Sequence, residues 1–179
     1  MPALEPGTKA PPVKLPTVSG GTFDLGEALK RGPVALAFFK SSCPVCQLAF
    51  PYLERLYRSN LHAANPGDAA NPGSALQLIG VSQDEKRDTE SFMKELGITF
   101  PMVLEETSKY AVSNAYGLTN VPTIFVIAPD GGFGTIETSS VGWYKQDIEA
   151  LNQKMAQAAG KPPQPVFKPG EDVPEFKAG

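Results

Sequence analysis

A chain of 179 residues can bury one hydrophobic core, and its 41% hydrophobic and 20% charged content excludes wholesale disorder. A net charge of −3 leaves no basic footprint for nucleic acid or an anionic lipid surface. The apolar run Val34–Phe39 is far too short to span a bilayer, so no membrane span is expected.

Met1-Pro2-Ala3-Leu4-Glu5-Pro6-Gly7 has neither a cationic start nor an apolar stretch and reads as no secretory signal. As written, the sequence predicts a cytoplasmic protein; a leader removed beforehand would make it periplasmic. Residues 1–12 read as an extended N-terminal arm, with Lys9-Ala10-Pro11-Pro12 leading into a domain over 13–159. Ser19-Gly20-Gly21 predicts the turn of a hairpin between Val13–Val18 and Thr22–Leu25. A short helix is expected over Gly26–Lys30, then a strand over Val34–Phe39 buried on both faces. The next helix starts at the cysteines, with Pro44 in its first position, where a missing N–H is harmless. Leu48, Tyr52 and Leu56, with Leu53 and Tyr57, mark its apolar face, and Pro51 is expected to kink it.

Two Asn-Pro-Gly units, at Asn65-Pro66-Gly67 and Asn71-Pro72-Gly73, predict a turn-rich loop. A strand follows over Leu76–Val81, then a helix capped by Asp88 or Thr89, running through Phe92, Met93 and Leu96 and stopped by Gly97. Phe100–Leu104 reads as a strand with Pro101 at its start, and Lys109–Tyr116 as a helix ending at Gly117. Thr123–Ile127 is a strand that Pro129-Asp130-Gly131-Gly132 turns into another over Phe133–Thr138. Lys145–Ala158 closes the domain as an amphipathic helix with Ile148, Leu151 and Met155 inward. Residues 160–179 form a tail with five prolines; a disordered end is favoured there over an arm laid on the surface.

The chain holds only two cysteines, in Cys43-Pro44-Val45-Cys46. A bridge between them closes almost no loop, so a structural staple explains little. A structural zinc site needs four ligands, whereas the chain offers these two sulfurs and His62 as its only histidine, so no metal and no cofactor is expected. His62 reads as an exposed bystander. Redox chemistry remains. A strand, then Cys-x-x-Cys, then a helix puts the first sulfur where unpaired backbone N–H groups converge and a thiolate is stabilised. Only the thiolate attacks a disulfide. Cys43 is thus the expected attacking residue, and the more buried Cys46 resolves the mixed disulfide. Pro44 and Val45 lie between them, where they influence a reduction potential that varies by about 150 mV across proteins of this architecture.

Beyond this pair, the segment Phe38-Phe39-Lys40-Ser41-Ser42-Cys43-Pro44-Val45-Cys46, with Pro51 and with Val121-Pro122-Thr123 before an apolar strand, resembles the thioredoxin superfamily. It is most similar to the redoxin branch, which includes the thiol–disulfide oxidoreductases of cytochrome maturation and the alkyl hydroperoxide reductase/thiol-specific antioxidant proteins. The resemblance covers roughly Val13 to Ala158. It implies an α/β fold of thioredoxin-like type: a central mixed β-sheet flanked by helices, an N-terminal β-hairpin extension and a central βα insertion over Leu76–Leu96. It also implies that Pro122 is a cis-proline beside the sulfurs and that the backbone of Val121 pairs with an extended substrate strand. The implied partners are protein or low-molecular-weight disulfides and thiols, with an unidentified thiol reductant.

Three positions depart from the family. Ser42 stands where tryptophan usually precedes the first cysteine; Ala37 and Ala49 stand where branches of the family carry acids. The usual proton acceptors for Cys46 are therefore missing, and Glu54, on the same helix, is expected at the surface. Lys40 reads equally as a stabiliser of the Cys43 thiolate and as a solvated lysine at a strand end. A thiol peroxidase is the alternative activity, yet Leu36 and Lys40 occupy the positions where peroxiredoxins carry Pro and Thr or Ser. A non-catalytic redox-sensing or metal-handing module is a third reading.

Overall fold

The computed structural model describes residues 3–61 and 75–179. Gly20 and Gly21, both at positive φ, turn β1 (Lys14–Pro16) into β2 (Thr22–Asp24), an antiparallel hairpin with Leu15 opposite Phe23. Asp24 then caps α1 (Leu25–Leu29), accepting from Glu27 N at 3.2 Å.

Six consecutive apolar residues make β3 (Val34–Phe39), and every one is buried, as a central strand covered on both faces demands. It lies parallel to β4 (Gln77–Ser82) and antiparallel to β6 (Thr123–Ala128). With β5 (Met102–Leu104) and β7 (Thr135–Val141) the sheet has the order β5-β4-β3-β6-β7. The two parallel steps need crossovers, supplied by α2 (Pro44–Leu61) and α3 (Lys86–Leu96). Alternation along β3 divides the core. Ala35, Ala37 and Phe39 face the cluster built with α2 and α5 (Lys145–Ala158); Val34, Leu36 and Phe38 face α1 and Tyr116. Close approach shapes the β4–β5 pair: a Cβ on Gly80 would overlap Met102 Sδ. Among the described residues, no helix is long and apolar enough to cross a membrane.

The first residues lie along the sheet's two sides. Gly7 N donates to Ile136 O at 2.8 Å and Ala10 N to Gly134 O at 3.0 Å, beside β7. Val18 N donates to Met102 O at 3.0 Å, and Thr17 bridges to Val103, beside β5.

Several expected boundaries shift for local reasons. The helix assigned a cap at Asp88 or Thr89 begins earlier, at Lys86, and takes both residues into its first turns. The Thr89 hydroxyl donates to Glu85 O and bonds Ser82 Oγ at 2.6 Å, so it ties α3 to β4 instead of capping. Tyr110, at φ 47°, shortens the helix expected from Lys109 to α4 (Ala111–Ala115). β5 starts at Met102, because Pro101 has no N–H for the ladder; its carbonyl still accepts from Gly80 N at 2.9 Å. The Asn-Pro-Gly units and His62 lie outside the described residues. Helix α2 continues through Pro51 to Leu61.

Two expectations are overturned. Glu54 is buried, with its carboxylate accepting from Thr99 N at 2.7 Å, Phe100 N at 3.3 Å, the Thr99 hydroxyl and Arg58 Nε at 2.7 Å. A buried carboxylate persists when its lone pairs are met in this way. The tail is also not a disordered end. Val166 and Val173 enter the core, and Arg55 grips Glu171 through two N–H groups at 2.7 and 2.8 Å. The Trp143 indole donates to Pro174 O at 2.6 Å, and β9 (Phe176–Lys177) pairs antiparallel with β8 (Trp143–Tyr144).

Candidate active site

The site stands where β3 ends and α2 begins. Cys43 N donates to Lys40 O at 3.1 Å, closing a turn, and Gln47 N donates to Cys43 O at 3.0 Å, the first helical bond. Cys43 therefore occupies the capping position and Pro44 the first residue of the helix. Both sulfurs are free thiols; Cys43 is partly exposed and Cys46 fully buried. Pro44 is exposed and Val45 half-buried between them.

One N–H of the opening turn is aimed at the outer sulfur: Cys46 N lies 3.4 Å from Cys43 Sγ. Burial pushes the Cys46 thiol far above its ordinary range; the Cys43 and Asp84 charges push the same way, and a backbone bond from Lys40 opposes them. The pair is thus divided into an accessible sulfur held by a backbone donor and an enclosed one that keeps its proton.

On the opposite side, the peptide between Val121 and Pro122 is cis, and β6 begins at the next residue. Thr123 Oγ1 donates to Asn120 O at 2.7 Å and Gly142 N donates to Pro122 O at 2.8 Å, which hold the loop. Cys43 Sγ donates to Val121 O at 3.4 Å. The structure therefore brings Cys43, Cys46, Val121 and Pro122 together from two segments far apart in the chain.

Lys40 contributes its backbone to this turn, while its ammonium group sits over the Tyr110 ring, 5.6 Å from the centroid. Ala37 and Ala49 are buried, so methyl groups fill the places where related sequences carry acids. Sequence reasoning missed Asp84. Its carboxylate accepts from Ser41 N at 2.6 Å, and Gln47 Nε2 donates to Ser41 O at 2.9 Å, so Ser41 is pinned from both sides. The available signal was topological: β3 and β4 are parallel neighbours, so the loops leaving their carboxyl ends must meet.

The model of the AhpC/TSA family matches residues 6–134. The thiol-disulfide oxidoreductase ResA of Bacillus subtilis is 27% identical over 140 residues, covering 78% of this chain and 70% of the relative. The ResA protein of Geobacillus thermodenitrificans is 28% identical over 148 residues, covering 82% and 76%. Among solved structures, one of a thiol:disulfide interchange protein DsbE from Chlorobium tepidum superposes with a TM-score of 0.69 at 26% identity, covering 88% of this chain and 100% of the other.

Proposed function

Because the chain belongs to the AhpC/TSA family, we propose that it is a thiol–disulfide oxidoreductase working through Cys43 and Cys46. The Cys43 thiolate attacks one sulfur of a client disulfide, forms a mixed disulfide and expels the other sulfur as a thiolate. Cys46, once deprotonated, attacks Cys43 Sγ and releases the client's remaining sulfur. Two electrons pass from the dithiol to the client, leaving a Cys43–Cys46 disulfide that a thiol reductant restores. Val121 offers its backbone to the client chain, with Pro44, Val45 and Pro122 around the sulfurs. The clients are protein or low-molecular-weight disulfides. Redox poise of the compartment decides whether the pair runs as reductant, as in a cytoplasm, or as oxidant, as in a periplasm.

The observation that carries this reading is the division of labour between the sulfurs: one partly exposed beneath the Cys46 N–H, the other enclosed behind it. Relatives bearing the name thiol-disulfide oxidoreductase support it. Reduction of insulin disulfides by the dithiol form is the test. Activity is expected for the unaltered chain and only background for Cys43→Ser; equal activity in both would refute the assignment.

A further inference from the structure

The tail, which lies beyond the stretch matched by the family model, runs up to the client side of the sulfurs. Trp143 lies opposite Lys177 in the β8–β9 pair. The chain then passes over Gly142, where a Cβ would come within 2.9 Å of Lys177 O and 3.2 Å of Gly179 N. Gly179 abuts the cis-proline loop: a Cβ on it would stand 2.6 Å from Val121 O, and Asn120 Nδ2 donates to Gly179 O at 2.7 Å. That Val121 carbonyl is the one facing Cys43 Sγ.

The tail is firmly fixed upstream and lightly held at this contact. Through Pro174 it is anchored by the Arg55–Glu171 fork, buried Val166 and Val173, and the Trp143 indole. From Phe176 onward it is exposed, held by a two-residue strand, the Tyr144–Phe176 ring pair at 4.7 Å and the Asn120 bond. Short, exposed ladders open at low free energy. Cys43 stays partly exposed while the tail is seated.

We propose, resting on the exchange reading above, that residues 176–179 compete with client polypeptide for the Val121 edge and so set the substrate class. Small disulfides reach Cys43 past the seated tail. An extended peptide disulfide needs the tail displaced before its backbone can lie beside Val121. The chemistry at the sulfurs is the same for both, and only docking differs.

The test uses the full chain with Asn120→Ala and, separately, Phe176→Ser, each loosening the tail without altering a sulfur or Val121. The kcat/KM values for insulin and for hydroxyethyl disulfide are measured side by side, with a thermal midpoint to establish folding. Loss of one restraint is expected to raise the insulin value about fivefold, mainly through KM, and to leave hydroxyethyl disulfide unchanged. Both substrates unchanged, both altered by one factor, or slower insulin reduction would overturn the proposal; a merely structural tail would not change their ratio. If the unaltered chain reduces neither substrate in a Cys43-dependent way, the exchange reading itself fails. If only Phe176→Ser unfolds, Asn120→Ala decides the outcome.

Discussion

Cys43 Sγ donates a hydrogen bond to the carbonyl of Val121 at 3.4 Å, joining two loops 78 residues apart. This bond exists only while the sulfur carries its proton. Once Cys43 ionises or forms a disulfide, the Val121 oxygen loses this donor, while Gly179 still abuts it. Under the proposal above, arming the sulfur therefore removes one of two occupants of this carbonyl, and displacing the tail removes the other.

The unequal surroundings of the sulfurs predict ordered alkylation. Iodoacetamide near neutral pH should modify Cys43 first and leave Cys46, which is enclosed and holds its proton tightly. Peptide mass spectrometry at sub-stoichiometric reagent reads the order. Cys46→Ser should accumulate a mixed disulfide through Cys43 in the presence of client, and a label found first on Cys46 would contradict the assigned roles.

Peroxide chemistry should be slow. Leu36 is fully buried within β3 and the Lys40 ammonium lies over Tyr110, so neither residue resembles the peroxide-binding groups of a peroxiredoxin. Hydrogen peroxide added to the dithiol form should consume thiols sluggishly and without saturation. Fast, saturable loss would move the assignment to the peroxidase alternative.

Asp84→Asn should lower the pH at which Cys46 ionises. The Asp84 charge disfavours a second negative charge on that sulfur, so a neutral amide relieves the repulsion, while burial, the larger cause, keeps the thiol above its ordinary range. Ser41 N still finds a neutral acceptor. The pH profile of mixed-disulfide resolution should shift to lower pH; a shift upward would show that Asp84 acts some other way.

Acid should loosen the tail. The Arg55 guanidinium, first, and Lys168 N hold Glu171 down from 4.5 to about 2. A carboxyl depressed in the folded state stabilises fully above its unfolded value. Here that contribution fades as pH falls from about 4.5 towards about 2. Trp143, the only tryptophan, donates to Pro174 and serves as the fluorescence reporter. Its signal should change across that window in the unaltered chain and much less in Glu171→Gln.

Glu54→Ala should destabilise the fold by about 1–3 kcal/mol, because it strips the buried Phe100 N–H and the partly buried Thr99 N–H of their acceptor. Urea unfolding reads the loss. A neutral result would mean that water replaces the carboxylate.

What could be read from the sequence was what short-range pattern controls. The apolar run Val34–Phe39 had to be an interior strand, and Lys145–Ala158 matched its helix because Ile148, Leu151 and Met155 share a face. Cys43 and Cys46 were found because strand, dithiol and helix are contiguous. Residues whose partners come from far along the chain were misread. Glu54 looked solvated because nothing nearby reveals that Thr99 and Phe100, 45 and 46 residues on, fold over it. Thr89 looked like a cap because its hydroxyl's partner, Ser82, belongs to another element. The tail's prolines suggested disorder, whereas Val166, Glu171 and Val173 among them supply its attachments.

The placement of the opening residues has a consequence for self-association. A sheet margin with unsatisfied amides is a template onto which a second chain can add, the starting point of fibrous growth. Here Gly7–Ala10 lie against the start of β7 and Thr17–Val18 against β5, so stretches of both margins are already occupied from within. Stripping away the first two dozen residues would spare the sulfurs and uncover both flanks at once, leaving each open to stacking by further chains.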